Sequence, residues 1–186
     1  QYHTSDIEYM DELWINFDKL YKKGLIYKSF KVMPYSPKLG CSLSNFEANS
    51  NYMTINDNTV TVGFPVINKQ NNLIIDNTYF LVWTTTPWSL VGNMALGIND
   101  NINYCMVKWK DDNYLVAENL VETNFTNKEY TITEKLTGND IRRKYLYKNI
   151  FNHIQNENKY PILHGDYITD SSGTGIVHLA PMFGDD

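Results

Sequence analysis

Apolar residues recur along this chain at two different periods. Between positions 5 and 24, Ile7, Met10, Leu13, Trp14, Phe17, Leu20 and Tyr21 fall three and four apart, the spacing of one helix face. Ser5 and Glu8 have the spacing of a capping box, Asp6 and Glu8 suit the positive end of a helix dipole, and Lys22-Lys23-Gly24 makes a stop. The pattern predicts a helix over 5–24 whose aromatic stripe packs into a core. A strand is predicted over 29–35, closed by Pro34 and Pro37, and 36–52 is polar and rich in turn formers.

Further on the period drops to two. Val60, Val62, Phe64 and Val66 alternate with other residues and predict a strand over 59–67, a turn over 68–72 and a returning strand over 73–84. A short turn follows at 89–93, then strands over 94–98 and 102–110 joined by Asn99-Asp100-Asn101. A hairpin turn at 111–113 leads to a strand over 114–117, and 118–123 reads as one or two helical turns. A strand over 130–136 ends at Gly138, a short helix covers 139–145, and strands over 160–169 and 175–180 close the chain. Many short strands at steady intervals predict a closed or nearly closed barrel, and no strand–helix–strand alternation supports a Rossmann sheet. The expected class is α+β and mainly β, a distorted barrel with peripheral helices. Residues 1–50 form a helix and connecting strand, and 51–186 form the barrel.

Composition narrows the function classes. The net charge of -5 argues against a broad phosphate-binding surface, and Arg142, Arg143, Lys144 and Lys148 form one local basic cluster that reads as a solvated face. No apolar run approaches the ~20 residues needed to span a bilayer. Cys41 and Cys105 are far apart and match neither a zinc spacing nor a disulfide framework, which suits a reducing compartment. Of the histidines, His3 and His153 read as exposed and His164 as structural. The chain opens mid-pattern and stops on Asp185-Asp186, so it reads as a piece of something larger.

Chemistry concentrates in two stretches. In Phe80-Leu-Val-Trp-Thr-Thr-Thr-Pro-Trp88 a strand delivers three hydroxyls, Thr84, Thr85 and Thr86, to its mouth. Pro87 ends the ladder there because it has no amide hydrogen. Such a cluster beside Trp88 suits a polar small group or a water. In Gly173-Thr-Gly-Ile-Val-His-Leu-Ala-Pro181 two glycines allow close backbone approach, His178 sits within a strand, and carboxylates follow it. A histidine and a carboxylate near threonine hydroxyls can position a water and bind an ammonium. No Ser-His-Asp arrangement stands out, and one His with one or two Asp is too few ligands for a metal site.

Together these stretches resemble the editing domain of isoleucyl-tRNA synthetases, the large connective insertion of a class I enzyme. Lys31-Val-Met-Pro-Tyr-Ser36 and Leu43-Ser-Asn-Phe-Glu-Ala48 are also similar to that family in its eukaryotic cytoplasmic style. The resemblance covers nearly the whole chain, and the H-I-G-H and K-M-S-K-S signatures of amino-acid activation are absent from it. It implies a hydrolase that clears valine from mischarged tRNA(Ile), with valyl-adenylate as a further substrate, without a cofactor or metal. The implied partners are the valine-bearing 3′ end of the tRNA and the remainder of the synthetase chain; a monomer in the cytoplasm, with no membrane, is expected. By position, Thr84, Thr85, Thr86 and His178 are the implied catalytic residues. Trp88 is the implied packing wall, Gly173, Thr174 and Gly175 line the substrate, and Asp186 holds its ammonium group. The family aspartate usually lies one residue further from the histidine than Asp186 does. A binding module without turnover and a purely structural spacer are the competing readings.

Overall fold

A computed structural model describes residues 3–151 and 159–184 of the 186-residue chain. It divides into two compact units, 1–50 and 51–186. His153 and Asp186 lie outside the described residues.

In the first unit the helical period folds as α1 (Ile7–Lys22). Its N-cap is Asp6, and the expected Ser5–Glu8 capping box does not form: no side chain caps the helix, and the Asp6 carboxylate instead accepts from the amide of His3 at 2.9 Å. The core packing expected of the aromatic stripe is also not made. No residue of α1 is buried, and Trp14 is 64% exposed. The unit has little to cover it, because its other elements are the two-residue strands β1 (Tyr35–Ser36) and β2 (Cys41–Ser42) and the short helix α2 (Asn45–Ala48). The strand predicted over 29–35 is reduced to its last residue. A capping box does occur on α2, where Ser44 Oγ accepts from the Glu47 amide and the Ser44 amide donates to the Glu47 carboxylate at 2.8 Å. That backbone hydrogen bond holds the Glu47 carboxyl below the ordinary range.

The second unit is mainly β. Its strands are β3 (Val60–Asn68), β4 (Ile74–Thr84), β5 (Ala95–Ile98), β6 (Asn103–Trp109) and β7 (Asp112–Ala117), then β8 (Thr131–Thr137), β9 (Tyr145–Tyr147), β10 (Ile162–His164) and β11 (Val177–Leu179). Two short helices interrupt them, α3 (Val121–Asn124) and α4 (Gly138–Lys144). Six strands form one sheet in the order β8-β6-β7-β4-β3-β9, and three form another in the order β10-β5-β11. The larger sheet curls as a half-barrel rather than closing on itself, and β11 lies against β4.

Strand β4 runs through the middle of this architecture, antiparallel to β3 and parallel to β7. Its alternation decides what each face does. Phe80, Val82 and Thr84 are buried on the inner face with Phe64, Val66 and Leu115, while Tyr79, Leu81 and Trp83 point to the other side. Each fully buried Phe contributes about 1.5–3 kcal/mol relative to exposure.

Two boundaries differ from the sequence pattern for local reasons. The strand expected over 160–169 shrinks to β10 because Gly165 to Tyr167 turn away, with the Ile168 amide bonded back to the Gly165 carbonyl. Gly138 opens α4 instead of only ending a strand. A Cβ there would lie 2.1 Å from the Asn99 carbonyl oxygen, so only glycine fits. The basic cluster is partly neutralised internally. Arg142 clasps Asp100 with two hydrogen bonds of 2.7 Å, which holds that carboxyl below its ordinary range, and Lys144 lies 3.5 Å from Glu134.

Candidate functional site

β4 ends at Thr84, its last residue paired with Val60 of β3, and the loop beyond must satisfy itself. Thr84, buried at the strand tip, accepts the Thr86 amide on its Oγ1 at 3.0 Å. Pro87 then starts a short 3-10 turn over Pro87–Gly92, needing no amide partner at that position. This turn brings Ser89 back over the threonines: Ser89 Oγ donates to the Thr86 carbonyl at 2.7 Å and lies 2.9 Å from Thr86 Oγ1.

The second stretch arrives on β11, which pairs antiparallel with β5 so that His178 stands opposite Leu96. His178 Nε2 lies 2.9 Å from Ser89 Oγ. A hydroxyl has one proton, and the Thr86 carbonyl can only accept, so Ser89 spends its proton there. The network therefore assigns Nε2 of His178 as protonated and donating to Ser89, with the Thr86 hydroxyl donating to the same oxygen. Thr84 Oγ1 and Thr86 Oγ1 are 3.3 Å apart, which extends the chain of hydroxyls towards the strand.

These groups open onto one cavity of about 290 Å³, lined by Trp83, Thr84, Thr85, Thr86, Ser89, Val177, His178, Ala180, Phe183 and Gly184. All three threonines and the histidine singled out in the sequence thus meet in one place. Trp88 does not line it. Its indole is 60% exposed, and the aromatic wall is Trp83, one residue before the threonines. Gly173, Thr174 and Gly175 do not line it either; they fasten its walls. Thr174 Oγ1 accepts the Trp83 amide at 3.2 Å and donates to the Ile176 carbonyl. Gly173 has φ +72°, and a Cβ there would lie 2.8 Å from the Trp83 ring. Gly175 has φ +73°, packs against Ala117, and offers its carbonyl to the Tyr104 hydroxyl at 2.9 Å. Burial pushes that phenol up to about 12.

Six lining residues were not among the candidates, Ser89 and Phe183 among them. Ser89 was visible only as part of a turn, though its position three after Thr86 is the signal that could have found it. Phe183 was not singled out, yet its ring packs so closely on Gly92 that a Cβ there would lie 2.5 Å away.

Known proteins resemble this chain in sequence and in fold. A family model described as tRNA synthetases class I (I, L, M and V) matches residues 1–160. The cytoplasmic isoleucine–tRNA ligase of Saccharomyces cerevisiae is 38% identical over 100% of the chain, which covers 17% of that protein. The isoleucine–tRNA ligase of Protochlamydia amoebophila is 40% identical over 99% of the chain and 18% of its own length. The chain therefore spans less than a fifth of these relatives. Among solved structures, GlLeuRS-CP1 superposes with a TM-score of 0.55 at 18% identity, covering 67% of this chain and 55% of that one, which is a likeness of fold. With the family model matched over most of its length, the chain belongs to the class I tRNA synthetases of the I, L, M and V group.

Proposed function

We propose that the cavity at the end of β4 is a hydrolytic editing site of an isoleucyl-tRNA synthetase. It would release valine from mischarged tRNA(Ile), and valyl-adenylate as a second substrate. The observation that carries this reading is the convergence of Thr84, Thr86, Ser89 and His178, from stretches about ninety residues apart, on one hydroxyl-rich cavity.

The need for such a site is energetic. Valine is isoleucine less one methylene, and a pocket that holds the larger side chain discriminates against the smaller by only about 10- to 200-fold, a figure for which this pair of amino acids is itself the reference case. A second, smaller site has to remove the error. At about 290 Å³ the cavity sits at the foot of the range of roughly 300–1,000 Å³ common for ligand sites, which suits an aminoacyl group at the end of a nucleic acid.

In the proposed reaction, water attacks the ester carbonyl carbon and the bond to the terminal ribose oxygen breaks. The water proton passes to that oxygen, leaving valine and uncharged tRNA. The hydroxyls of Thr84, Thr85 and Thr86 orient the water and the ester, and the ring of His178 bounds the side-chain space against an extra methylene. Because Ser89 holds the Nε2 proton of His178, the imidazole presents a fixed orientation instead of a rotating one. Catalysis would then draw on positioning and on preset dipoles, with no cofactor. An ammonium partner at Asp186 belongs to the same proposal. The tRNA 3′ end and the rest of the synthetase chain are the proposed partners.

Deacylation of Val-tRNA(Ile) by the 186-residue chain tests the reading: valine is released and Ile-tRNA(Ile) is spared. Binding of a non-hydrolysable valyl-adenosine analogue without release of valine would favour a docking module instead. That alternative draws on the mutual engagement of the Thr86 and Ser89 hydroxyls, which are already bonded to each other and to the Thr86 carbonyl.

A further inference from the structure

A second and larger concavity, of about 430 Å³, opens on the opposite face of β4 from the core. Its floor is the outward face of the sheet, where Tyr79, Tyr114 and Trp109 come from β4, β7 and β6. Its roof is the segment after β7, which folds back with Asn124, Phe125 and Lys128. We propose that this cavity binds a nucleobase carrying an exocyclic amino group (cytosine, adenine or guanine) from a single-stranded nucleic acid.

The part-exposed Tyr79 and Tyr114 supply the stacking surface, with Trp109 and the buried Phe125 packed beside them. Tyr79 and Tyr114 lie 5.9 Å apart at 30°, Trp109 and Tyr114 6.2 Å apart at 43°, and Tyr114 and Phe125 5.9 Å apart at 51°. Aromatic platforms of this kind hold unstacked bases in single-strand binders. One polar wall supplies selectivity. The Asp112 carboxylate takes the Tyr114 hydroxyl on one oxygen at 3.2 Å and, having about four lone-pair sites, keeps capacity to accept from an amino group. Uracil offers no such donor. Charge fits the backbone of the ligand: the Lys128 ammonium is held 4.4 Å over the Trp109 ring and that of Lys110 4.9 Å over it, a local cationic rim on a chain of net charge -5. The same ammonium groups already occupy the indole face that a quaternary ammonium ligand would need.

The place of the cavity also fits. Tyr79 and Leu81 line it, and Trp83, next on the same face of β4, lines the hydroxyl cavity. Leu81 and Trp83 are about 7 Å apart along the strand. Asn124 ties the two sites further, since its Nδ2 donates to the Gly173 carbonyl at 2.8 Å and Gly173 backs onto Trp83. A nucleic acid whose aminoacyl end enters the hydroxyl cavity would lay an upstream base here. That assignment of the strand rests on the editing reading; the affinity for a base does not.

The test titrates the 186-residue chain with CMP, AMP, UMP and the RNA trinucleotide CCA, followed by calorimetry and tryptophan fluorescence. CMP and AMP should bind more tightly than UMP, and CCA more tightly than either. Tyr79→Leu should weaken binding about 10-fold through lost stacking. Asp112→Asn should erase the preference over UMP, and as a near-isosteric change on a partly exposed residue it keeps the test valid if Tyr79→Leu misfolds. With Val-tRNA(Ile) as substrate both changes should raise KM, whereas Thr86→Ala should lower kcat. Base binding in a chain that releases no valine would sink the editing reading and leave this one standing. Affinity blind to the base, unmoved by both substitutions, or surpassed by choline would overturn it.

Discussion

The two concavities on either side of Trp83 are built on opposite principles. The hydroxyl cavity is a network of polar atoms already bonded to one another, with Ser89 joined to both Thr86 and His178 at 2.9 Å. The aromatic cavity is a set of rings at 5.7–6.2 Å centroid separations with two ammonium groups against one of them. The first fixes directions, so a small misplacement of one atom is felt by all. The second offers area and tolerates shifts, because stacking depends weakly on register. Chemistry requires the former and grip the latter, and one strand, β4, serves both by presenting different residues of its two faces.

The sharpest way to separate them is to remove one hydroxyl or the ring that meets it. Thr86→Ala and His178→Ala should each lower kcat for deacylation of Val-tRNA(Ile) by about 100-fold, the scale seen when one preset donor is lost from an active site. Nucleotide binding in the aromatic cavity should not change. Equal damage to both properties would show that the two cavities are one site.

Legibility in the sequence follows the same division. The hydroxyl cavity was readable because its donors are contiguous in two stretches, Thr84 to Thr86 and Val177 to Ala180, each closed by a proline that marks the end of a ladder. The glycines at 173 and 175 were also readable as points of close approach, but not what they approach: Trp83 and Ala117 are chosen by the packing of β11. Trp88 misled because adjacency in sequence was taken for adjacency in space, whereas the turn after Pro87 carries it outward. The aromatic cavity was invisible, since Tyr79, Trp109, Tyr114 and Phe125 come from three strands and the segment after α3 and share no linear period. The helix at 7–22 shows the converse limit. Its period was right and its partner was not, because periodicity reports a face and never what covers it.

A change at Gly173 should break the comparison by striking both cavities together. Gly173→Ala forces a Cβ into a left-handed backbone and against the Trp83 ring, and should cost about 2 kcal/mol in a urea titration. It should also loosen the carbonyl held by Asn124, so valine release and base binding fall in parallel. Loss of one without the other would mean that Gly173 serves a single wall.

Tyr104 tests the hydroxyl cavity from behind. Its hydroxyl donates to the Gly175 carbonyl at 2.9 Å and accepts from the Asn99 amide at 3.1 Å, so Tyr104→Phe removes a partner from a buried carbonyl and a half-buried amide and should cost about 1.5 kcal/mol. The phenol also predicts a pH limb. Its folded value is about 12, above the ordinary value, mainly because burial disfavours the phenolate. The stability it contributes is fully present below about pH 10 and is lost as the pH rises towards the folded value. Denaturation midpoints of the parent chain should fall over that window, and the part of the fall due to Tyr104 should vanish in the Phe variant.

The smallest expected effect lies at Lys128. Its ammonium sits over Trp109 at 4.4 Å and over Phe125 at 5.2 Å, and donates to the Asn124 carbonyl at 3.0 Å. At an exposed position such a contact is worth about 0.5–1 kcal/mol, so Lys128→Met, which keeps the length of the side chain, should lower stability by no more than that. Its effect on ligands should differ in kind from that of Tyr79→Leu. Removing one phosphate-facing charge should weaken CCA at low salt, flatten the salt dependence of its binding, and leave the order of CMP, AMP and UMP intact. A ring cavity that only stacks bases would show the Tyr79 effect and no change in salt slope at Lys128. A cavity that only attracts phosphates would show the reverse, and the measurement of both slopes decides which of the two physical grips holds the strand.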